Sequence, residues 1–159
     1  MATSIARLTG FGGVNPVLRV SNVAVSKDYY TRVLGFKVDF ETPGFVSVTR
    51  GRCGLFPCEG DQGHPGSWVW ISAPDVELLV EELRAAGARI RHEPTNFPWA
   101  MEIQVEDPDG NVLRMGSEPK ENEPTGEWLD MNGVRWAPLP DGSWKRVDPS
   151  ERQELEARS

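Results

Sequence analysis

The sequence predicts an α+β fold: two tandem βαβββ modules forming a curved mixed sheet with helices on its outer face, followed by a tryptophan-rich C-terminal extension. Three observations carry this. A strand followed by a capped helix occurs twice, once ending at Gly35 and once at Gly87, at nearly the same spacing. Residues 97–116 alternate strictly on both sides of a tight turn, the pattern of a β-hairpin with one apolar face. The apolar residues of every central strand also fall in one phase, as they must if one face of a sheet lies under helices.

In order along the chain, residues 1–13 read as a flexible arm or a short edge strand. Residues 16–20 form a strand with Leu18 and Val20 on one side and Asn15, Val17 and Arg19 on the other. Asn22 is placed to cap a helix running to about residue 34, with Val25, Tyr29, Tyr30, Val33 and Leu34 as its buried stripe and Gly35 as its stop. Strands follow at 36–41, 45–49 and 53–57, completing a first module over 14–58. Residues 59–66 form a polar, Gly-rich linker.

The pattern then restarts in a second module over 67–117. Residues 67–73 place Val69, Ile71 and Ala73 opposite Trp68, Trp70 and Ser72. Asp75 caps a helix carrying Val76, Leu79, Val80 and Leu83, and residues 88–91 give a strand. In the final hairpin Met101, Ile103 and Val105 oppose Glu102, Gln104 and Glu106, Asp107-Pro108-Asp109-Gly110-Asn111 turns the chain, and Leu113 and Met115 return opposite Arg114. His64 and His92 fall in loops.

Residues 118–159 form the extension. EPKENEP has the composition of a solvated linker. Asn132-Gly133 and Asp141-Gly142, set among Trp128, Leu129, Val134, Trp136 and Trp144, are hairpin signals. These aromatics require a surface, so the extension is expected to dock on the domain or on a dimer partner. The ERQELEAR segment has a thin apolar face for a short helix.

Composition narrows the function. Seventeen Lys and Arg against 24 Asp and Glu give a net charge of -7, which disfavours nucleic acid and anionic membranes as partners. No long apolar run or leader-like block stands in the chain, so a cytoplasmic location is expected. Cys53 and Cys58 suit buried or half-buried packing in a reducing compartment. Six Trp are a strong signal in a chain of 159 residues, because indole is costly to expose and effective where a ligand supplies the other wall.

NPVLRVSNV with a helix ending in LGF, then WVWISAPDVELLVEELRAAGARI, then PWAMEIQVEDPDGNVLRMG, resemble the glyoxalase, bleomycin-resistance protein and extradiol dioxygenase superfamily, the vicinal oxygen chelate fold. The bleomycin-resistance branch is the most similar. The resemblance implies a homodimer and a cleft that traps a small molecule. In the metal-dependent members the ligands would fall on Asn15, Trp68 and Arg114. Asn is a weak donor, indole offers no ligand and guanidinium carries a fixed positive charge, so that metal site is expected to be dismantled.

The face bearing Asn15, Arg19, Trp68, Trp70, Glu102, Gln104 and Arg114, with Trp99 at the hairpin mouth, is then expected to line a ligand-binding cleft. The alternative is that the C-terminal extension covers it. The expected function is metal-independent binding of an antibiotic or other aromatic small molecule, without a cofactor and without catalysis. A lyase, isomerase or oxygenase with a non-standard metal site would depend on Glu102 as its acid-base group. A protein-interaction module is the third reading. Arg114 and Glu102 could also form a plain structural ion pair.

Overall fold

The computed structural model describes residues 11–156, so the expectation for the N-terminal arm falls almost wholly outside the described residues; 11–13 carry no regular element. The chain divides into two compact units, one made of residues 11–67 with the turn Asp107–Asn111, the other of Trp68–Glu106 with the chain from Val112 onward.

In the first unit β1 (Val17–Arg19) leads to α1 (Val23–Asp28), a π-helical turn (Tyr29–Val33), and strands β2 (Lys37–Thr42), β3 (Phe45–Arg50) and β4 (Cys53–Cys58). They form a four-stranded sheet of order β1-β4-β3-β2 in which β1 runs parallel to β4 and the other pairs are antiparallel. Asn22 Oδ1 accepts the Val25 N–H at 3.1 Å, a cap worth about 1 kcal/mol. Gly35 ends the helix at φ 70°.

One expectation for this helix fails. Val25 is 52% exposed and Ser26 is buried. The helix has only six α-helical residues before it widens into the π turn, where Leu34 N–H bonds Tyr29 O. Ser26, Tyr29, Tyr30 and Leu34 therefore face the sheet, and the strict 3.6-residue stripe through Val25 does not. Cys53 is half-buried and Cys58 buried, both as free thiols.

The turn Asp107–Asn111 is held within the same unit. The Asp107 carboxylate accepts the backbone N–H groups of Asp109 and Asn111, both at 2.9 Å, together with Asn111 Nδ2 at 2.8 Å and the Tyr30 hydroxyl at 3.1 Å. Burial pushes the Asp107 carboxyl up despite these donors.

The second unit repeats the plan with β5 (Trp68–Ser72), α2 (Val76–Ala85), β6 (Arg89–Asn96), β7 (Met101–Glu106) and β8 (Val112–Ser117), in the order β5-β8-β7-β6 and with β5 parallel to β8. Asp75 caps α2 through Leu78 N–H at 3.0 Å, and Gly87 stops it at φ 86°. Val76, Val80 and Leu83 are buried and α2 packs on β6, β7 and β8. Ile103, Val105, Leu113 and Met115 form the core face, while Val69 and Ile71 are only half-buried.

His92 is not in a loop. β6 extends past the expected residue 91 to Asn96, and its pairing with β7 slips between Ile90 and His92 and again between His92 and Thr95. Such bulges break the two-residue alternation that would have marked the strand. His92 is buried, and its Nδ1 meets Glu93 O and Thr95 Oγ1. His64 is exposed, as expected.

The extension adds a three-stranded antiparallel meander, β9 (Trp128–Leu129), β10 (Arg135–Pro138) and β11 (Trp144–Arg146), and a final helix α3 (Pro149–Glu156). Gly133 and Gly142 sit at φ 76° and 83° in its two turns, as Asn-Gly and Asp-Gly demand. The segment read as a solvated linker is pinned to β6. Asn96 donates through Nδ2 to Lys120 O and Glu123 O, both at 2.9 Å, and its Oδ1 accepts the Lys120 N–H at 2.8 Å.

Candidate functional site: a tryptophan-walled pocket in the second unit

On the second sheet the face opposite the core carries Glu102, Gln104, Arg114, Trp68 and Trp70, and the meander lies over it. Glu102 and Gln104 are each 1% exposed. Gln104 Nε2 donates to Leu129 O at 3.1 Å, and Arg91 donates to both Gln104 Oε1 and Asp130 O. A strand buried on both faces, with two polar side chains on one of them, is tolerable only because those polar groups are paired.

Arg114 is the centre of the arrangement. Its Nε and Nη2 donate to the two Glu102 oxygens at 2.7 and 3.0 Å, a planar fork on a carboxylate. Trp99 Nε1 adds a third bond to Glu102 Oε2 at 3.0 Å. The guanidinium carbon lies 5.3 Å from the Trp70 ring centre and 4.8 Å from that of Trp128, so the cation sits against two indole faces. Gly116 makes this possible: a Cβ there would stand 2.2 Å from Trp70 Cη2.

Around this pair the aromatic rings interlock. Phe97 and Trp99 stack at 4.9 Å with planes 3° apart. Trp128 meets Trp68, Phe97 and Trp99 at 6.0, 5.7 and 6.1 Å, and Trp144 meets Trp99 at 6.1 Å. What remains is an open cavity of about 550 Å³ lined by Trp99, Arg114, Trp128, Asp130, Trp136 and Trp144. Its size is that of a site for a drug-sized ligand. Asp130 is fixed in a turn, accepting Trp136 Nε1 at 3.0 Å through Oδ2 and the N–H groups of Asn132 and Val134 through Oδ1. The indole donor and these backbone donors hold its carboxyl below the usual aspartate range.

Of the sequence-named site residues, Trp70, Trp99, Glu102 and Arg114 meet directly. Trp68 and Gln104 lie behind the pocket, Trp68 against Trp128 and Arg91, and Gln104 under Leu129. Asn15 and Arg19 belong to the first unit: Asn15 occupies the space left by the missing Cβ of Gly54, and Arg19 Nε donates to Gln62 O at 3.4 Å. Sequence reasoning did not name Trp128, Asp130, Trp136 and Trp144 as site residues. Their signal was present as indoles of the extension that needed a surface, but which surface depends on how the meander folds back.

These residues do not fit a divalent ion. Glu102 spends both oxygens on Arg114 and Trp99, and the Arg114 guanidinium sets a fixed positive charge against that carboxylate. Among the described residues no cluster of three or more His, Cys, Asp or Glu side chains has a metal-binding arrangement.

The family model of the Glyoxalase/Bleomycin resistance protein/Dioxygenase superfamily matches residues 11–115. The chain belongs to that superfamily. No curated protein matches it in sequence. Among solved structures, the bleomycin-binding protein of Streptomyces verticillus, solved with copper(II)-bleomycin, is 26% identical with a TM-score of 0.60, covering 69% of this chain and 98% of that one. TnmS3, an antibiotic binding protein from Streptomyces sp. CB03234, is 22% identical with a TM-score of 0.61 over 70% of this chain and 99% of its own. A glyoxalase/bleomycin resistance protein/dioxygenase from Nocardioides is 18% identical with a TM-score of 0.57, covering 79% and 97%. The superfamily match ends at residue 115, whereas Trp128, Asp130, Trp136 and Trp144 lie beyond it. Four of the six pocket-lining residues are therefore outside the region that defines the family. No helix among the described residues is long and apolar enough to cross a membrane.

Proposed function

We propose that this superfamily member binds a planar aromatic small molecule in the tryptophan-walled pocket and releases it chemically unchanged, without a metal. One observation carries the reading: the Arg114 guanidinium takes up both oxygens of Glu102, so that carboxylate is not offered to a cation, and indoles that offer stacking faces surround the pair. Glu102 is poorly suited to acid-base work, because it is buried and accepts three hydrogen bonds that fix it to its neighbours. The bleomycin-binding and antibiotic-binding relatives make an antibiotic-like ligand a reasonable class to screen first.

A homodimer is part of this proposal. Val38 and Phe40 on the edge strand β2 are exposed apolar surface of the kind a second copy would cover. Ligand binding is tested by titrating chelator-treated protein with a panel of planar aromatic compounds, following indole fluorescence and recovering the ligand for mass analysis. Saturable binding with recovery of the intact compound is expected. A divalent ion bound one per chain and lost in Glu102→Gln, or a converted ligand, would overturn the proposal; sedimentation over a range of concentrations tests the dimer.

A further inference from the structure

The pocket has a surplus of hydrogen-bond donors, and Arg114 supplies it. Arg114 lines the cavity and its side chain is 27% exposed. Its guanidinium carbon lies 5.3 and 4.8 Å from the ring centres of Trp70 and Trp128, so two indoles hold the group in place. One edge of the guanidinium plane, Nε with one N–H of Nη2, is closed by Glu102, and these are the hydrogen bonds Arg114 makes among the described residues. The other edge, Nη1 with the second N–H of Nη2, is a further planar fork of parallel donors. Glu102 is buried, so the edge turned to it faces protein and the edge away from it is the one the cavity can reach. The charged acceptor in the lining, Asp130, is already supplied. Asn132 and Val134 N–H meet its Oδ1, Trp136 Nε1 meets its Oδ2, and Arg91 lies beside it, bonded to Asp130 O. Formal charges therefore balance, Arg114 against Glu102 and Arg91 against Asp130, and the open donors decide what a guest must carry.

We infer that Arg114 anchors the guest, holding Glu102 with one edge and an oxyanion of the guest with the other, so that the pocket takes a planar aromatic molecule bearing a carboxylate, its rings against the indoles. This rests on the reading of the same cavity as a ligand site. A carboxylate matches the spacing of the open fork and gains charge-assisted hydrogen bonds there, which a neutral acceptor forms more weakly. Because Glu102 fixes the guanidinium before the guest arrives, little side-chain freedom is lost on binding. The net charge of -7 opposes an anion at long range, but at about 0.15 M salt that field is screened over about 8 Å, whereas the fork acts in contact.

Three probes of similar shape test this on the full chain: 2-naphthoate, its uncharged isostere 2-naphthamide, and the cation N-methylquinolinium. Affinities are measured calorimetrically at neutral pH and about 0.15 M salt, and the Nε–H signal of Arg114 in NMR spectra reports whether the guanidinium is touched. The carboxylate is expected to bind at least about tenfold tighter than the carboxamide, with the cation weakest and the Arg114 signal shifted. Arg114→Lys keeps a charge opposite Glu102 but not the planar fork, and should bring naphthoate and naphthamide to within about threefold of each other. Glu102→Leu with Arg114→Met removes both charges together and should do the same, which keeps the inference testable if the lysine variant does not fold. Equal binding of naphthoate and naphthamide by the parent chain, a carboxylate preference that survives in these variants, or tightest binding of the cation overturns this inference and leaves the aromatic-binding reading in place. Failure of all three to bind, in protein with a native melting curve, overturns both.

Discussion

The two modules are built to one plan and finished differently. Each has an opening strand parallel to its last strand, an Asx-capped helix, a positive-φ glycine as stop, and an antiparallel remainder. On the first sheet the face away from the helix carries Asp39 bonded to Ser47 Oγ and Thr49 Oγ1, beside Phe45, which meets both Phe40 and Phe56, and Phe40 remains 55% exposed. On the second the same kind of face holds an ion pair, Glu102 buried and Arg114 partly so, under three further strands. The common topology follows from local signals repeated in the chain. The difference follows from one added segment, which converts a half-wet sheet face into a pocket wall and makes its polar groups depend on their partners.

Removing the extension should erase that difference and have the largest effect. A chain ending at residue 127 loses the cover given by buried Leu129 and half-buried Trp128, Trp136 and Trp144; at about 1.5–3 kcal/mol for a fully buried large side chain, and about half of that for each half-buried one, the loss is on the order of 5 kcal/mol. Urea unfolding should show it, together with increased binding of a hydrophobic dye. An unchanged midpoint would mean that the meander contributes nothing to the second unit.

The next comparison sets Glu102→Ala against Asp39→Ala. Truncating Glu102 leaves the Arg114 guanidinium without its partner under the meander, and because Arg114 is 27% exposed the expected cost is about 3 kcal/mol, the low end for a buried pair. Truncating Asp39 removes bonds to two hydroxyls on the more open sheet, for about 1 kcal/mol. Replacing both members of the buried pair, as Glu102→Leu with Arg114→Met, should recover much of the stability while losing ligand affinity. Equal costs at Glu102 and Asp39 would sink the contrast between the two faces.

Glycines give a finer test. In the last strand of each module a glycine admits a side chain from that module's opening segment: Gly54 admits Asn15 and Gly116 admits Trp70. Asn15 is exposed and can swing away, so Gly54→Ala should cost little. At Gly116→Ala the indole must leave its place against Arg114, for about 1–3 kcal/mol and a measurable change in the Trp70 indole signal.

The smallest effect concerns His92. Burial holds its imidazole below the usual histidine range, so the unfolded chain takes up the proton more readily than the folded one. Its contribution to stability is therefore full above about pH 6.5 and declines as pH falls below that value. Unfolding midpoints at pH 7.5 and 5.5 should differ less in His92→Phe than in the parent chain. No difference in slope would show that His92 stays neutral in both states or is solvated in the fold.

Much of the fold was legible because its determinants are local. Asn22 and Asp75 cap helices through their own side chains, Gly35 and Gly87 stop them, and Asp107 organises a turn whose donors lie two and four residues away. Alternation placed Ile103 and Val105 on one side of β7 and Glu102 and Gln104 on the other, because backbone geometry alone enforces it. Local rules failed where the backbone left its ideal period, in the π turn after Asp28 and at the bulges around His92.

What the sequence determined by itself was the repeated module, its superfamily, and the set of indoles, guanidinium and carboxylates available for a site. Only the tertiary structure decided that Trp128, Asp130, Trp136 and Trp144 come to stand around Arg114, and that Glu102 and Gln104 face protein. The physical reason is range. A cap, a turn or an alternating strand is specified by neighbours a few residues apart, whereas the pocket exists only after a distant segment has folded into its own sheet and laid its rings over charges that would otherwise meet water.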